Sequence, residues 1–386
     1  MPTVQKVVAS AANALITNAD GSTHIDLFAA NGTLLLGHGN ETVRRKLSEQ
    51  NDKVWITGRL DTDTRLTAYQ MVEQLIPERL RVAGFYSTGM EAAELALRAS
   101  RVVTGRKDFL GFAKCMHGKS MATAFLAWEN PFGYDLPGVQ RVAFPTPDNA
   151  DEVLTRIGEI LRKRRTAAVF LEAIQGSGGG ASVAPEFCRS LRELCTETQT
   201  LLVADEILTG FYRTGTLFFH DRFPLNPDVV LAGKCMGNGF PVSAVLMRRD
   251  YEITPQMLPY STYSENALAM AAIVGTLTEI ERLPVERLAA DVEAQLRAHL
   301  QQLSPTHIAL TVFGAMCIVD ARDARLAQLI ADRCYERGVL ISQAGPMLRL
   351  LPPLTIERGA LERGLATIAA VISETFSAPA AAASLR

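Results

Sequence analysis

Ionisable side chains follow several apolar runs of this chain, close to the point where each run ends. Lys234 comes shortly after 228–232 (DVVLA), a β-branched run with the length of a buried strand. Burial readily lowers the pKa of a lysine, and the neutral amine is then a nucleophile toward carbonyl groups. Taken alone, however, Lys234 is better explained as a side chain that leaves the strand end for solvent.

A second run, 201–204, ends in Asp205 and Glu206. An acid at the end of a buried strand is either a salt-bridge partner or a functional carboxylate. Asp205 precedes Lys234 by about one strand-to-strand step. Because open parallel sheets bind ligands at the carboxyl ends of their strands, we expect Asp205 and Lys234 to face one crevice.

Hydroxyl groups and a glycine stand at 87–92 (STGMEA), where a predicted strand is followed by a predicted helix. A hydroxyl oxygen there fits the N-cap of the helix, because it accepts a hydrogen bond from the first turn. The N–H groups of the first turn and the helix dipole also attract an anion such as phosphate. The two interpretations are compatible, and the cap is the simpler one.

Two more side chains occupy isolated positions. His117 follows the predicted strand 108–113 and is compatible with a structural histidine or with a ligand contact. Arg349 lies inside the apolar run 347–351, so its guanidinium must meet a carboxylate of the protein or of a ligand.

The glycine-rich run 172–180 does not open directly into a helix, which argues against a dinucleotide-binding fingerprint.

These positions occur together at the strand ends of one predicted sheet. A lysine for a carbonyl group, an acid for a ring nitrogen and a helix N-terminus for a phosphate together describe a pyridoxal phosphate site. The sequence therefore predicts pyridoxal 5′-phosphate as the cofactor, with Lys234 and Asp205 as catalytic residues.

The elements that must position these residues alternate regularly from Arg81 onward. Strand-length runs alternate with helical patterns, which favours an α/β fold with a mostly parallel central sheet and helices on both faces. Strands are predicted at 81–87, 108–113, 141–144, 167–173, 200–206 and 228–233. Turns and helices are predicted at 87–103, 151–164 and 185–198.

The pattern changes on both sides of this region. A hairpin is predicted at 13–27 and a helix at 66–76. After residue 264, helical patterns at 264–281, 284–302, 322–337 and 357–375 accompany strands near 308–320 and 347–351. We predict an N-terminal segment, 1–47, that joins a smaller α+β domain at 271–386, and a large cofactor-binding domain at 48–270.

Composition and charge limit the classes of protein to consider. The 386 residues are 48% hydrophobic and 21% charged, as in ordinary globular proteins, with a formal charge of −2. Neither nucleic acid nor a membrane is expected as a partner, because the charge is near zero and no apolar run has the length of a span. The six cysteines lack disulfide or zinc spacing, and no signal-peptide pattern is present. We expect a cytoplasmic protein without a metal site.

Two segments carry a resemblance to a known family. They are DEILTGFYRTG at 205–215 and NPDVVLAGKCMGNGFP at 226–241. With them the chain resembles the class III aminotransferases, pyridoxal-phosphate enzymes of fold type I that include ornithine and ω-amino acid transaminases. The resemblance extends from about Asp26 to Ile356.

This resemblance implies a role for each residue of the cofactor site. Lys234 would hold the cofactor covalently, Asp205 would pair with its ring nitrogen, and Ile207 would pack beneath the ring. His117 and Gly118 would match the family's aromatic–histidine–glycine turn. The phosphate would be held through hydroxyl and backbone N–H groups by Thr88, Gly89 and Met90.

The resemblance also implies features outside the cofactor pocket. The family is homodimeric with active sites at the subunit interface, and Thr262 matches the threonine that contacts the phosphate of the neighbouring subunit. Arg349 matches the arginine that binds a substrate carboxylate. The implied partners are a small-molecule amino donor, a carbonyl acceptor and a second copy of the chain.

Three positions depart from the family pattern and leave the substrates open. Met116 stands where an aromatic side chain usually stacks on the cofactor ring, and we expect it to contact the ring as a softer partner. Leu208 replaces a glutamine that in some members bonds the phenolic oxygen. Ser177 replaces a glutamate that in several ω-amino acid transaminases screens the carboxylate-binding arginine.

The implied function is transfer of an amino group between an amino acid or amine and a carbonyl compound, either a 2-oxo acid or an aldehyde. A racemase, aminomutase or decarboxylase of the same family would use the same Lys234–Asp205 pair. A non-catalytic pyridoxal-phosphate-binding protein is the remote alternative, and the intact Lys234, Asp205 and Thr262 argue against it.

Overall fold

The computed structural model describes residues 7–126, 134–303 and 308–377, which form two compact units. The first unit takes its described residues from the chain up to 41, from 212–215 and from 282 onward. The second unit comprises the described residues of 42–211 and 216–281. Every residue predicted to hold the cofactor belongs to the second unit.

The elements follow one another along the chain in this order. The N-terminal part contains β1 (Val8–Ala12), β2 (Leu15–Asn18), β3 (Thr23–Asp26), α1 (Ala29–Gly32), α2 (Glu41–Asn51) and α3 (Asp63–Leu75). The middle part contains β4 (Leu80–Tyr86), α4 (Gly89–Thr104), β5 (Asp108–Phe112), α5 (Met121–Leu126), β6 (Val139–Val142), α6 (Ala150–Leu161), β7 (Thr166–Leu171), α7 (Pro185–Thr198), β8 (Leu201–Asp205), β9 (Val229–Gly233), β10 (Ser243–Arg248) and α8 (Ala267–Arg282). The C-terminal part contains α9 (Val285–Leu300), β11 (Ala309–Phe313), β12 (Met316–Asp320), α10 (Ala324–Glu336), β13 (Val339–Leu340), β14 (Ser342–Ala344), β15 (Met347–Leu350) and α11 (Arg358–Ser377).

The second unit is built on a sheet whose described strands lie in the order β4-β10-β9-β8-β7-β5-β6. β10 is antiparallel to both of its neighbours, whereas β9, β8, β7, β5 and β6 pair in parallel. β4 therefore runs in the same direction as β9. The predicted α/β fold with a mostly parallel sheet is confirmed, and the carboxyl ends of β4, β5, β7, β8 and β9 share one edge.

Helix α4 packs closely on this sheet because its buried face consists of small residues. Its fully buried alanines share one apolar core with the strand residues Phe170, Val203 and Leu231; these alanines are Ala92, Ala93, Ala96 and Ala99. Methyl side chains let a helix approach the strands closely and still fill the space between them. Because α4 begins directly after β4, its N-terminus lies at the carboxyl edge of the sheet.

The first unit contains two four-stranded sheets, in the orders β1-β2-β3-β13 and β11-β12-β15-β14. The predicted hairpin at 13–27 is confirmed, because β2 and β3 pair antiparallel. Helices α10 and α11 pack on each other and on β13, and α9 packs on α11 and β11. None of the described helices combines the length and apolar character needed to cross a membrane.

Candidate active site

A cavity of about 200 Å³ opens at the carboxyl edge of the central sheet. It is lined by residues at or after the ends of β5, β7, β8 and β9 and by the first turn of α4. The predicted cofactor residues in the lining are Gly89, Met90, Met116, His117, Asp205, Ile207 and Lys234. The expectation that Asp205 and Lys234 face one crevice is met, because both line this cavity.

Lys234 follows the last residue of β9 and begins a 3₁₀ turn, Lys234–Gly237. Its φ of +41° lies in the left-handed region, which costs a non-glycine residue roughly 1–2 kcal/mol. Strain of this kind persists only where the surrounding structure fixes the backbone, and it is concentrated at functional sites. The turn is held tightly, since a Cβ added to Gly237 would lie 2.6 Å from Cγ1 of Val242.

Asp205 and His117 form a buried pair beside Lys234 in the cavity wall. His117 Nδ1 lies 2.8 Å from Oδ2 of Asp205, and both side chains are almost completely buried. The second oxygen, Oδ1, accepts a hydrogen bond from the backbone N–H of Ile207 at 3.1 Å. His117 Nε2 is buried without a hydrogen-bond partner among the described residues. An unsatisfied buried nitrogen in a cavity wall points to a ligand that completes the site.

Thr88 is the N-cap of α4, as one of the two sequence interpretations proposed. Its Oγ1 accepts a hydrogen bond from Glu91 N at 3.1 Å, and the Glu91 carboxylate accepts one from Ser87 N at 3.0 Å. Ser243 on β10 donates to the carbonyl oxygen of Thr88 at 2.7 Å, which ties the cap to the sheet. The first N–H groups of an α-helix have no partner within the helix, so this end can also bind an anion.

Two glycines allow close contacts in the cavity wall. A Cβ on Gly89 would lie 3.0 Å from Cγ2 of Ile207. Gly118 has a φ of +141°, and a Cβ there would lie 2.6 Å from Oγ1 of Thr123. A side chain at either position would displace Ile207 or α5, so the shape of the cavity depends on glycine at both.

Glu172 belongs to the site and was not among the residues predicted from the sequence. The pairing of Leu171 with Ala204 places Glu172 level with Asp205 on the adjacent strand. Its Oε2 accepts a hydrogen bond from Met116 N at 2.7 Å. Burial, and secondarily the Asp205 carboxylate, raise the pKa of Glu172 well above its usual value. The signal that identified Asp205, an acid directly after an apolar run, also marks Glu172.

The three positions that depart from the family pattern, Met116, Ser177 and Leu208, all line the cavity. Leu208 packs against the turn after β7, where a Cβ on Gly176 would lie 2.2 Å from its Cδ2. The differences from the family are therefore in the wall of the cavity itself.

Thr88, the cap of α4, is not among the residues that line the cavity. Thr262 and Arg349 are not among them either. Thr262 is exposed on a turn of the second unit. Arg349 lies on β15 of the first unit, where its Nη2 donates to Oδ1 of Asn31 at 3.0 Å and to Oγ of Ser342 at 2.9 Å. The roles expected for both residues stay predictions.

A larger cavity, of about 400 Å³, lies at the opposite edge of the sheet, near the start of β8. Arg192 and Arg248 in its lining approach the Asp228 carboxylate at 2.8 and 3.3 Å. Arg106 donates to the carbonyl oxygen of Thr166 at 3.2 Å. The arginines in the lining hold strand and helix ends together through these contacts. Their presence at this cavity is therefore explained by a structural role.

The chemistry of the smaller cavity fits pyridoxal phosphate. Lys234 would supply the amine for the aldehyde, Asp205 the negative charge for the ring nitrogen, and the α4 N-terminus the N–H groups for the phosphate. The unsatisfied Nε2 of His117 and the space left by the two glycines are consistent with a ligand there. Within 7–126, 134–303 and 308–377, no three His, Cys, Asp or Glu side chains are grouped as metal ligands.

Comparison with known proteins identifies the family. The chain matches aminotransferase class-III over residues 2–372. It is 31% identical over 369 residues to the acetylornithine aminotransferase of Bacillus subtilis, covering 93% of this chain and 92% of that enzyme. It is also 31% identical over 396 residues to the 2-aminoadipate transaminase of Pseudomonas putida, covering 94% of each.

A solved structure of the ornithine aminotransferase from Toxoplasma gondii, described with partial occupancy of PLP at its active site, has a TM-score of 0.84 at 26% identity. The similarity covers 98% of this chain and 92% of that chain. These matches confirm the predicted family, cofactor and reaction type over the racemase, aminomutase, decarboxylase and non-catalytic alternatives. The chain belongs to the class-III aminotransferase family and is a pyridoxal-phosphate-dependent transaminase of fold type I.

Proposed function

We propose that the cavity at the carboxyl edge of the central sheet is the catalytic site of this transaminase. The observation that carries the proposal is that Lys234, the buried Asp205–His117 pair and the first turn of α4 line one cavity. Each of the three matches one functional group of pyridoxal phosphate, namely the aldehyde, the ring nitrogen and the phosphate.

Bound pyridoxal phosphate supplies an aldehyde that binds amines covalently and a ring that accepts electrons from the Cα–H bond. In our proposal, Nζ of Lys234 accepts the proton that leaves the substrate Cα and returns it later in the cycle. The Asp205 carboxylate, held by His117 Nδ1 and by Ile207 N, would stabilise a positive charge at the ring nitrogen. Ile207 and Met116 would enclose the ring, and Thr88, Gly89 and Met90 would hold the phosphate.

Replacement of Lys234 by alanine tests this proposal. We expect Lys234→Ala to lose the covalently held cofactor, and to lose more than the 10²–10⁴-fold in rate that is typical of one general acid–base group. Lys114→Ala is the matched control, because Lys114 also follows a strand and also has a positive φ, of 66°. The visible absorption of the bound cofactor and borohydride labelling of the lysine give the readout. Labelling of another lysine in Lys234→Ala would overturn the assignment.

We propose that the substrates carry a carboxylate that Arg349 binds. Asn31 and Ser342 supply an amide and a hydroxyl oxygen, which orient the guanidinium without contributing negative charge. Acetylornithine and 2-aminoadipate, named for two relatives, are amino acids, and this supports the same class of substrate here.

We propose that the enzyme is a homodimer in which Thr262 contacts the phosphate bound by the other subunit. Several large apolar side chains near Thr262 are exposed in the single chain, with Trp55 61%, Leu60 73% and Tyr263 66% exposed. The two segments that carry them are in contact, because Ala267 N donates to the carbonyl oxygen of Trp55 at 3.0 Å. Adjacent exposed apolar residues of this size are typical of a protein interface.

We also propose a cytoplasmic location, which is supported by six cysteines that are all buried thiols rather than disulfides. The division into a segment at 1–47, a cofactor-binding domain at 48–270 and a smaller domain at 271–386 remains part of the proposal.

A further inference from the structure

Thr262 lies on a tightly closed turn. Ser264 N donates to the carbonyl oxygen of Ser261 at 3.0 Å, and the Ser264 hydroxyl donates to the same oxygen at 2.7 Å. Ser261 N donates in return to Oγ of Ser264 at 3.2 Å. The four-residue turn 261–264 is therefore closed by its own side chain, with Thr262 exposed at its tip.

The next residue, Glu265, attaches this turn to the body of the second unit. Its φ of +56° is unfavourable for a side chain with a Cβ, and its N–H donates to the carbonyl oxygen of Phe85 at 3.2 Å. Arg65, only 4% exposed, donates from Nε and Nη2 to the carbonyl oxygen of Glu265 at 3.3 and 3.2 Å. Arg65 therefore holds the strained backbone by two hydrogen bonds.

The side chain of Glu265 is held as well. The Tyr69 hydroxyl donates to its carboxylate, and Arg65 Nε lies 3.8 Å from Oε2. Burial, and secondarily the Glu265 charge, raise the pKa of Tyr69, so the phenol stays protonated and remains a donor. Arg65 also donates to the carbonyl oxygen of Gly58 at 2.9 Å, which joins the turn to the exposed segment that contains Leu60.

We propose that Arg65, Tyr69 and Glu265 are positioning residues that hold the 261–264 turn so that Thr262 reaches the cofactor phosphate of the other subunit. The inference rests on the proposed role of Thr262 in the homodimer. It explains why the buried Arg65 contacts the backbone next to the exposed 261–264 turn, although the two are 200 residues apart in the chain. It also makes cofactor retention in one subunit depend on residues of its partner.

Mixed dimers of the full-length holoenzyme test this inference. One chain carries Lys234→Ala, so that the dimer keeps a single covalent cofactor site, on the other chain. Tyr69→Phe or Arg65→Gln is then placed either on the Lys234→Ala chain or on the chain that keeps Lys234. The readout is the dissociation constant of pyridoxal phosphate, obtained by titrating the visible band of the single site. Tyr69→Phe removes only a hydroxyl group and serves if Arg65→Gln does not fold.

We expect about tenfold weaker cofactor binding when the substitution is on the Lys234→Ala chain, the order of effect for one lost hydrogen bond to a charged group. We expect no change when it is on the chain that keeps Lys234. Tyr251→Phe, which removes a phenol–carboxylate contact with Asp228 at the opposite edge of the sheet, is the matched control and should have no effect in either place.

Thr262→Ala distinguishes the proposed role of Thr262 from the positioning role of Arg65, Tyr69 and Glu265. If Thr262→Ala does not weaken cofactor binding when it is placed on the Lys234→Ala chain, the proposed role of Thr262 is wrong. If Thr262→Ala has that effect but Tyr69→Phe and Arg65→Gln do not, only the positioning inference is wrong. Weakening that appears only on the chain that keeps Lys234 would show a merely local structural role and would overturn the inference.

Discussion

Glu172 and Asp205 are two carboxyl groups placed side by side at the ends of adjacent parallel strands. Asp205 has His117 Nδ1 as a partner, whereas Glu172 is held by the backbone N–H of Met116. Two neighbouring acids in a buried site do not both ionise easily, so one of them takes the proton. The raised pKa of Glu172 identifies it as the group that favours the uncharged form. The contact with the ring nitrogen is therefore assigned to Asp205, whose two oxygens lie against His117 Nδ1 and the backbone N–H of Ile207.

This difference predicts a pH-dependent stability for the apoenzyme. A folded-state pKa above the unfolded value of 4.5 means that the contribution of Glu172 to the stability of the fold is fully present below that pH. It is lost as the pH rises toward the folded-state pKa. Relative to Glu172→Gln, the wild type should lose up to about 1.4 kcal/mol of unfolding free energy per pH unit in that window. Urea unfolding of both proteins across the pH range measures this, and a pH-independent difference would contradict it.

At the residue scale, most of the residues that line the cavity could be predicted from the sequence. His117, Asp205 and Lys234 follow strand-like runs, and the rule for parallel sheets is enough to place them at one edge. Glu172 also ends such a run, but the glycines that follow it at 176 and 178–180 make the segment resemble a glycine-rich binding loop more than a catalytic acid. The contact between Gly118 and Thr123 is not predictable in this way, because it depends on the path of the chain between β5 and α5.

At the scale of elements, the N-terminus of α4 combines a structural and a proposed functional role. Thr88 caps the helix through its hydroxyl oxygen, and the buried alanines of α4 keep this end against the sheet. The hydroxyl that satisfies the helix is the one expected to contact the phosphate. Loss of the hydroxyl should therefore have two separable effects.

Thr88→Ala is expected to cost about 1 kcal/mol of stability, the usual effect of losing an N-cap, and also to weaken cofactor binding. Asp323→Ala is the matched control, because Asp323 caps α10 in the first unit by accepting from Arg325 N and Leu326 N. It should lose similar stability and leave the cofactor dissociation constant unchanged. Thr88→Ser should restore both properties. Equal cofactor affinity in Thr88→Ala and the wild type would exclude a phosphate contact.

Several predicted helices with strong local patterns are confirmed, whereas one strand of the central sheet that depends on a distant partner was missed. The helices at 87–103, 151–164 and 185–198 are confirmed as α4, α6 and α7. β10 was not predicted; it is the one reversed strand of the described sheet, and its place there depends on pairing with β4, which lies far away in the chain. The strand predicted at 141–144 is displaced two residues, to Val139–Val142, because its pairing with β5 sets its register.

At the scale of the whole molecule, the proposed catalytic roles are divided between the two units. The cofactor residues belong to the second unit, and Arg349 belongs to the first. Sequence alone could not identify the groups that orient Arg349, because Asn31 is 318 residues away in the chain and Ser342 is brought opposite Arg349 by the pairing of β14 with β15.

Arg349→Gln should weaken the binding of carboxylate substrates by about 1.5–3 kcal/mol, the range for hydrogen bonds to charged groups. Simple amines that lack a carboxylate should react as well with the variant as with the wild type. Stopped-flow measurement of the first half-reaction with a matched pair of amino acid and amine separates the two cases. Equal losses for both compounds would count against the carboxylate role.

The buried cysteines make the opening of each unit measurable. Cys317 and Cys334 lie in the first unit, and Cys115, Cys188, Cys195 and Cys235 lie in the second. Burial raises the pKa of Cys188, Cys195 and Cys334 to about 12. Since the thiolate is the form that reacts, alkylation must wait until local unfolding exposes each sulfur. Timed alkylation followed by peptide mass spectrometry would therefore measure which unit unfolds locally first. The same experiment with bound cofactor would measure how much the cofactor slows that unfolding.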